Sequence, residues 1–147
     1  MEQTSLSGTF HVAVLSDGKE KYHNVVPNTI MNAGKAVVSG LIVKDIGGEA
    51  FDYIAIGTSA TAPNITQTAC IAEKYRVAGT GSQETTTVTD DTARLTSSIA
   101  ITSSISVQEA AVFNSSSTGD MLARTTFSAV AVNDGDTINI GYDVKVA

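Results

Sequence analysis

The fold of this chain is decided by residues 92–146, TARLTSSIAITSSISVQEAAVFNSSSTGDMLARTTFSAVAVNDGDTINIGYDVKV. Apolar residues recur there at every second position, and the residues between them are mostly Ser, Thr, Asn and Asp. A period of two is typical of a β-strand with one buried and one solvated face. The stretch therefore predicts a series of strands that form a scaffold and carry no obvious catalytic group. The predicted buried residues are Leu95, Ile99, Ile101, Ile105, Val107, Ala111, Phe113, Phe127, Ala129, Ala131, Ile138, Ile140, Tyr142, Val144 and Val146.

A β-hairpin is predicted near the other end of the chain. The segment FHVAV at 10–14 alternates in the same way, and Asp17-Gly18 separates it from a second strand-like run at 19–26. Asp-Gly between two such runs is a strong hairpin signal, because it suits the tight turn that matches strand twist.

One helix is predicted in residues 28–42, NTIMNAGKAVVSGLI. Its apolar residues lie three and four positions apart, which predicts a helix from about 29 to 42 with Asn28 as the N-cap. Ala33 and Gly34 are small residues on the apolar face and permit close approach to a sheet. A helical Gly costs about 1 kcal/mol relative to Ala, and close packing would offset that cost.

These elements predict a mainly β fold. A length of 147 residues fits one domain. We predict a single-domain antiparallel β-sandwich or small barrel spanning residues 9–147, with the one helix packed against it. Residues 1–8 are polar and aperiodic and predict a flexible or extended arm. Residues 68–75 fit a short helical turn or an irregular strand equally well.

Composition argues against two classes of partner. The chain has 9 Lys and Arg against 15 Asp and Glu, a formal net charge of −6, and no basic cluster. Affinity for nucleic acid comes from clustered Lys and Arg, so no nucleic-acid partner is predicted. No signal peptide is visible and no apolar stretch is long enough to span a bilayer. We expect synthesis in a cytoplasm and no membrane partner.

The sequence offers few candidates for chemistry. His11 and His23 have no further ligands at matching spacing and are interpreted as structural. The NDGD run at 133–136 resembles part of a calcium loop, but a strand follows it, which favours a tight turn. Cys70 has apolar neighbours and is interpreted as a small buried hydrophobe. We predict no catalytic residue, cofactor or metal, and a small hydrolase is a remote alternative because triads are spatial.

Glu109 is an acidic residue inside the strand-like run SVQEAAVF at 106–113. A carboxylate there lies either on the wet face or buried against a partner such as Arg124 or Arg94. A lone acid has no identified proton partner, so we predict a structural ion pair, with Glu109 and Arg124 as the candidate residues that fix strand register.

Five short motifs carry a resemblance to a known family. This ordered set resembles a family of small structural proteins of tailed bacteriophages and related proviruses. The resemblance covers roughly residues 28–146 and leaves residues 1–27 unmatched. The motifs are NTIMNAG at 28–34, which opens the helix running to 42, FDYIAIGT at 51–58, TTTVTDDTA at 85–93, VQEAAVFN at 107–114 and MLARTTF at 121–127.

The resemblance implies a virion component without enzymatic activity. Members are described as head decoration (cement) proteins or as tail-fibre or baseplate-associated proteins, so both locations stay open. A cement protein would bind the major capsid protein on the outer capsid surface, usually as a trimer or other symmetric oligomer. No motif singles out the contacting side chains. Our expectation for them is the N-terminal arm, with Met1, Glu2, Gln3, Thr4 and Ser5, and exposed loops such as residues 58–64.

Overall fold

Two antiparallel five-stranded sheets face each other in the computed structural model, which describes residues 5–44 and 49–146. The first sheet has the strand order β2-β1-β10-β7-β6 and the second has the order β3-β9-β8-β4-β5. The predicted mainly β sandwich with one helix is therefore confirmed. The elements are β1 Leu6–Ser16, β2 Lys19–Pro27, β3 Thr29–Ile30, α1 Asn32–Val43, β4 Tyr53–Gly57, β5 Glu73–Ala78, β6 Thr80–Glu84, β7 Thr92–Ala100, β8 Ile105–Phe113, β9 Met121–Val132 and β10 Thr137–Val146.

The main core lies between the two sheets. Strand β1 and the first part of β10 bury the residues that their alternation predicts, and these pack against inward residues of the second sheet. The prediction fails at the end of β10, where Val144 is half-buried and Val146 is 53% exposed because the strand runs past the edge of the core. Each buried aliphatic side chain of this kind contributes about 1.5–3 kcal/mol relative to exposure. Members of this core that are at most 2% exposed are Phe10, Val12, Val14, Ile54, Ile56, Ile99, Ile101, Val107, Ala110, Val112, Ala123, Val132, Ile138, Ile140 and Tyr142.

The predicted alternation is only partly right in β8 and is wrong in β9, where an irregular pairing interrupts the strands. Val107, Ala111 and Phe113 are buried as predicted, but so are the other residues of 109–113. Glu109 pairs with Thr126 and Val107 pairs with Val130, so residues 127–129 of β9 lie opposite Gln108 alone. This bulge changes which residues face inward. Ala111 and Phe113 therefore lie on the opposite face of the sheet from Val107, and in β9 Val130 and Val132 are buried whereas Ala129 and Ala131 are exposed.

The helix begins later than the sequence predicts. Thr29 and Ile30 pair with β9 as the short strand β3, so they are not available to a helix. Met31 occupies the N-cap position, no side chain caps the helix, and Asn28 is not the N-cap. The first helical N–H, that of Asn32, instead donates a hydrogen bond of 2.9 Å to the carbonyl of Ile65.

The structure also specifies the N-terminal segment and residues 68–75 more closely than the sequence does. Residues 6–8 of the predicted flexible or extended arm are extended, and they belong to β1 and pair with β10, so the domain begins earlier than residue 9. Residues 1–4 lie outside the described part of the chain. For residues 68–75 the sequence fits a short helical turn or an irregular strand equally well. In the structure this segment is irregular as far as Ala72, and strand β5 begins at Glu73. No helix in the described residues is long and apolar enough to cross a membrane.

Candidate functional site

Residues 58–72, here called the cover loop, connect β4 to β5 and lie over the outer face of the second sheet. The two ends of the loop meet, because Thr58 N–H donates to the carbonyl of Ala72 at 3.0 Å. Gln108 donates from its side-chain amide to the carbonyl of Thr58 at 3.1 Å. A 15-residue connection is therefore closed at its base and tied to β8.

Glu109 and Arg124 form a buried ion pair beneath this loop. They lie diagonally across β8 and β9, because Ala111 pairs with Arg124 and Glu109 pairs with Thr126. Arg124 Nε donates to Glu109 Oε2 at 2.9 Å, and Arg124 Nη2 lies 2.7 Å from the same oxygen. Both side chains are 0% exposed. The structure thus places the two residues of the predicted pair in contact and shows that, of the two alternatives for Glu109, the buried one is correct.

The remaining polar atoms of the pair are directed at the cover loop. Glu109 accepts hydrogen bonds from the N–H groups of Ala72 at 2.7 Å and Ile71 at 3.1 Å. Arg124 Nη1 donates to the carbonyl of Thr61 at 2.8 Å and to Gln67 Oε1 at 3.2 Å. Two buried charges are costly unless their hydrogen bonds are also made. The loop supplies hydrogen bonds to both carboxylate oxygens and to Arg124 Nη1, so the pair and the loop stabilise each other. Arg124 Nη2 has the close carboxylate contact but no hydrogen-bond partner among the described residues.

Gly57 makes this approach sterically feasible. It pairs directly with Glu109 across β4 and β8. A Cβ atom at this position would collide with the carbonyl oxygen of Ala72 and with Glu109 Oε1. Glycine is therefore required where the carboxylate and the loop main chain come together over the sheet.

A second apolar cluster supports the loop beside the ion pair. Tyr53 and Cys70 pack against its edge, and Arg76 covers it with its guanidinium carbon 3.6 Å from the ring centre of Phe113. Arg76 is held in turn by Glu73 at 2.7 Å. Both faces of the second sheet are consequently covered, which explains the continuous burial of residues 109–113 and 121–125. The members of the cluster are Met31, Ala55, Ala111, Phe113 and Met121.

Cys70 provides a chemical reporter of this packing. Burial, with smaller effects of nearby Glu109 and Glu73, raises the pKa of the thiol to about 12. The thiolate is the reactive form, so we expect slow reaction with a disulfide reagent at about pH 8 in the native chain and fast reaction in urea. Cys70 is half-buried, not fully buried as the sequence predicts, because it lies at the edge of the cluster. Equal rates in the two states would contradict even this partial burial.

The same shift predicts a loss of stability in alkali. The unfolded thiol has a pKa of about 8.5, so the unfolded state loses its proton first as the pH rises. The contribution of Cys70 is fully present below about pH 8.5 and is lost as the pH approaches about 12. A Cys70→Ala variant should show a shallower alkaline decline, measured by urea unfolding at several pH values.

His11 and His23 line a shallow depression on the outer face of the first sheet, together with Ser97 and Ser98. His11 Nε2 lies 3.6 Å from Asp143, which is beyond hydrogen-bond distance, and Arg94 holds that carboxylate at 2.7 Å. Ser98 donates to Asn139 at 2.7 Å and Ser97 donates to the carbonyl of Ala78 at 3.3 Å. In the described residues neither hydroxyl is hydrogen-bonded to a histidine. The Ser, His and Asp side chains in and beside the depression therefore do not form the Ser–His–Asp hydrogen bonds of a hydrolase triad.

The NDGD run at 133–136 forms the turn between β9 and β10. Gly135 has a φ of 91°, and Asp136 accepts a hydrogen bond from Asn133 N–H at 2.9 Å. Lys21 lies 2.6 Å from the same carboxylate and, with Asn133, holds the pKa of Asp136 below its usual range. The described residues contain no group of three or more His, Cys, Asp or Glu that could hold a metal ion.

The expected partner-contact residues are only partly described. Met1, Glu2, Gln3 and Thr4 lie outside the described residues, and Ser5 is exposed ahead of β1. Sequence reasoning did not find the roles of Thr61, Gln67, Ile71 and Ala72, which contact the ion pair mostly through main-chain atoms.

Fold and site together define a two-sheet antiparallel β-sandwich with a long loop fixed to one outer face by a buried ion pair. Comparison with known proteins adds no relative: no family model, no curated protein and no solved structure matches this chain.

Proposed function

We propose that this chain is a non-enzymatic virion structural protein, a capsid decoration (cement) protein that binds the outer surface of the capsid. In this role it attaches to the major capsid protein as a symmetric homo-oligomer and stabilises the head. The sequence motifs of residues 28–146 support the assignment, and the geometry of the cover loop supports a binding role.

The observation that carries the proposal is the convergence of separate motifs on one place. Four of the five motifs contribute side chains to the ion pair or to the second apolar cluster, although they are spread from residue 28 to residue 127. The fifth motif, 85–93, lies elsewhere and forms a loop closed by Asp91, which accepts hydrogen bonds from three main-chain N–H groups. The converging residues are Met31, Tyr53, Ala55, Gly57, Glu109, Ala111, Phe113, Met121 and Arg124.

The converging residues hold a loop in one conformation. The Glu109 carboxylate and Arg124 Nη1 form hydrogen bonds with main-chain groups of the cover loop, whereas residues 60–62 and 64–66 of the loop are exposed. A loop that is ordered before contact loses less conformational entropy on binding. In a symmetric oligomer on a repeating lattice, several weak contacts of this kind would combine through avidity.

Attachment and abundance test this proposal. The purified chain should co-sediment with capsids that lack it and should raise their resistance to heat or osmotic shock. Densitometry of purified virions should give a copy number approaching that of the major capsid protein. A copy number of about a dozen or fewer would overturn the cement assignment and favour the tail-fibre or baseplate alternative.

Removing residues 1–5 should weaken capsid attachment without unfolding the domain. The truncation stops before β1, which begins at Leu6, so it removes none of the sheet pairing with β10. Removal of residues 1–8 is the matched control, because it also deletes the pairing of Leu6, Ser7 and Gly8 and should lower stability. Co-sedimentation and urea unfolding measure the two effects. Normal attachment of the chain lacking residues 1–5 would show that the arm makes no contact.

A further inference from the structure

An apolar cavity of about 330 Å³ lies between the two sheets and is closed on one side by α1. Leu6, Val144 and Val146 of the first sheet line it, and Val38 and Leu41 of the helix face them. The cavity is partly open to solvent. It is therefore an apolar recess at the surface that no described side chain fills.

An apolar projection lies beside this recess. Ile42 is 79% exposed and Val43 is 70% exposed, the largest values for big hydrophobic side chains in the described residues. Ile42 follows Leu41, which lines the cavity, and successive helical residues point about 100° apart. Ile42 is thus directed away from the cavity of its own chain.

We propose that a second copy of this chain inserts Ile42 and Val43 into this cavity. This inference rests on the homo-oligomer of the proposed function and identifies the surface through which its copies contact each other. A projection and a recess on one patch are what identical chains need to associate, since each copy offers one of each and closes a pair or a ring.

The size of the recess supports this occupant. An apolar cavity of about 150 Å³ holds a benzene molecule, so 330 Å³ accommodates the side-chain carbons of one Ile and one Val. The contact is apolar and the chain carries a net charge of −6. Long-range repulsion between copies is screened by salt, and association should strengthen as salt is added, the reverse of an interface built on ion pairs.

Sedimentation equilibrium of the full chain without capsids tests the proposal. Wild type should associate as its concentration rises to about 100 μM, and Ile42→Asp should weaken association at least about tenfold. Val88→Asp is the matched control, since Val88 is 66% exposed and lies in the 85–91 loop outside the cavity lining. A monomeric wild type, or an Ile42→Asp variant that associates like wild type, overturns the proposal.

A mixing experiment isolates the contact itself. Gly81 lines the cavity, and a Cβ added there meets nothing closer than the carbonyl oxygen of Arg94 at 3.9 Å, so Gly81→Phe is expected to place its ring in the recess without a main-chain clash at Cβ. Gly81→Phe keeps the projection, and Ile42→Asp keeps the recess. Each should fail to associate alone, and the mixture should form a heterodimer. A mixture that stays monomeric while wild type associates overturns the insertion.

The remaining outcomes separate this inference from the proposed function. Association without capsid attachment would overturn the proposed function alone. A monomer that attaches to capsids would overturn this inference alone. If wild type is a monomer that binds a fatty-acid probe, and the Gly81→Phe variant does not bind that probe, the inference is overturned in favour of an acyl-ligand site.

Discussion

Replacing Arg124 by Met is expected to lower the free energy of unfolding by about 3–5 kcal/mol, because it leaves a buried carboxylate without its partner. Glu109 and Arg124 are both 0% exposed, so water cannot replace the lost contact while the fold is intact. The variant should also lose the hydrogen bonds from Arg124 to Thr61 and Gln67. Urea unfolding measures the loss of stability.

Arg94→Met is the matched control. Arg94 pairs with Asp143 at 2.7 Å, but its side chain is 39% exposed, so the loss should be about 0–1 kcal/mol. Equal losses at Arg94 and Arg124 would contradict the argument that burial makes the second pair important.

The double variant Glu109→Gln, Arg124→Met separates the charge from the loop contact. The Glu109→Gln substitution removes the unpaired carboxylate, and the carbonyl oxygen of the new amide can still accept the Ala72 N–H. Removing both charges usually recovers part of the loss caused by removing one. We expect the double variant to be more stable than Arg124→Met by about 1–2 kcal/mol. Faster thiol labelling of Cys70 in Arg124→Met would show that the cover loop has loosened.

The sequence predicts most where one strand face meets the core and the pairing is regular. In β10 the buried residues Ile138, Ile140 and Tyr142 follow the period of two along an uninterrupted ladder with β1. In β8 and β9 the same rule fails, because a bulge at Gln108 and a covered outer face break the one-sided pattern. A single sequence carries no signal for a bulge of this kind.

The ion pair could be predicted from the sequence, but its contacts with the main chain of the cover loop could not. Glu109 is conspicuous in the sequence as a charge in an apolar run, and that leads to Arg124. The loop contacts come from main-chain N–H and C=O groups of Thr61, Ile71 and Ala72, which every residue type other than proline possesses in full. Main-chain hydrogen bonds do not depend on residue type, so the sequence gives no sign of them. The sequence therefore predicts an exposed loop at residues 58–64 but does not predict that the loop is fixed to the ion pair.

The position of the helix follows in part from residue size. The sequence predicts that Gly34 permits close approach, and Gly34 is buried against β9, where an added Cβ would fall 2.6 Å from the Cα and 2.7 Å from the carbonyl oxygen of Leu122. The predicted first turn is misplaced because Thr29 and Ile30 pair with β9, a long-range contact that local periodicity does not contain.

Gly34→Ala is expected to destabilise the chain, although Ala is the better helix former. Ala gains about 1 kcal/mol of helix propensity over Gly. Overpacking costs about 1–3 kcal/mol and occasionally more, and the upper part of that range applies here because the atoms in collision belong to the main chain of β9. That strand also carries Arg124, two residues beyond Leu122, so it cannot shift without disturbing the ion pair. We expect a net loss of about 2 kcal/mol.

Ala36→Gly is the matched control in the same helix. Ala36 is exposed, so the change in the free energy of unfolding reports mainly the difference in helix propensity between Ala and Gly. The substitution should cost about 1 kcal/mol. If packing at Gly34 were loose, Gly34→Ala would instead stabilise the chain by an amount similar to the loss in Ala36→Gly. Urea unfolding of the two variants therefore decides between propensity and close packing, and a stabilised Gly34→Ala would show that α1 is not seated on β9.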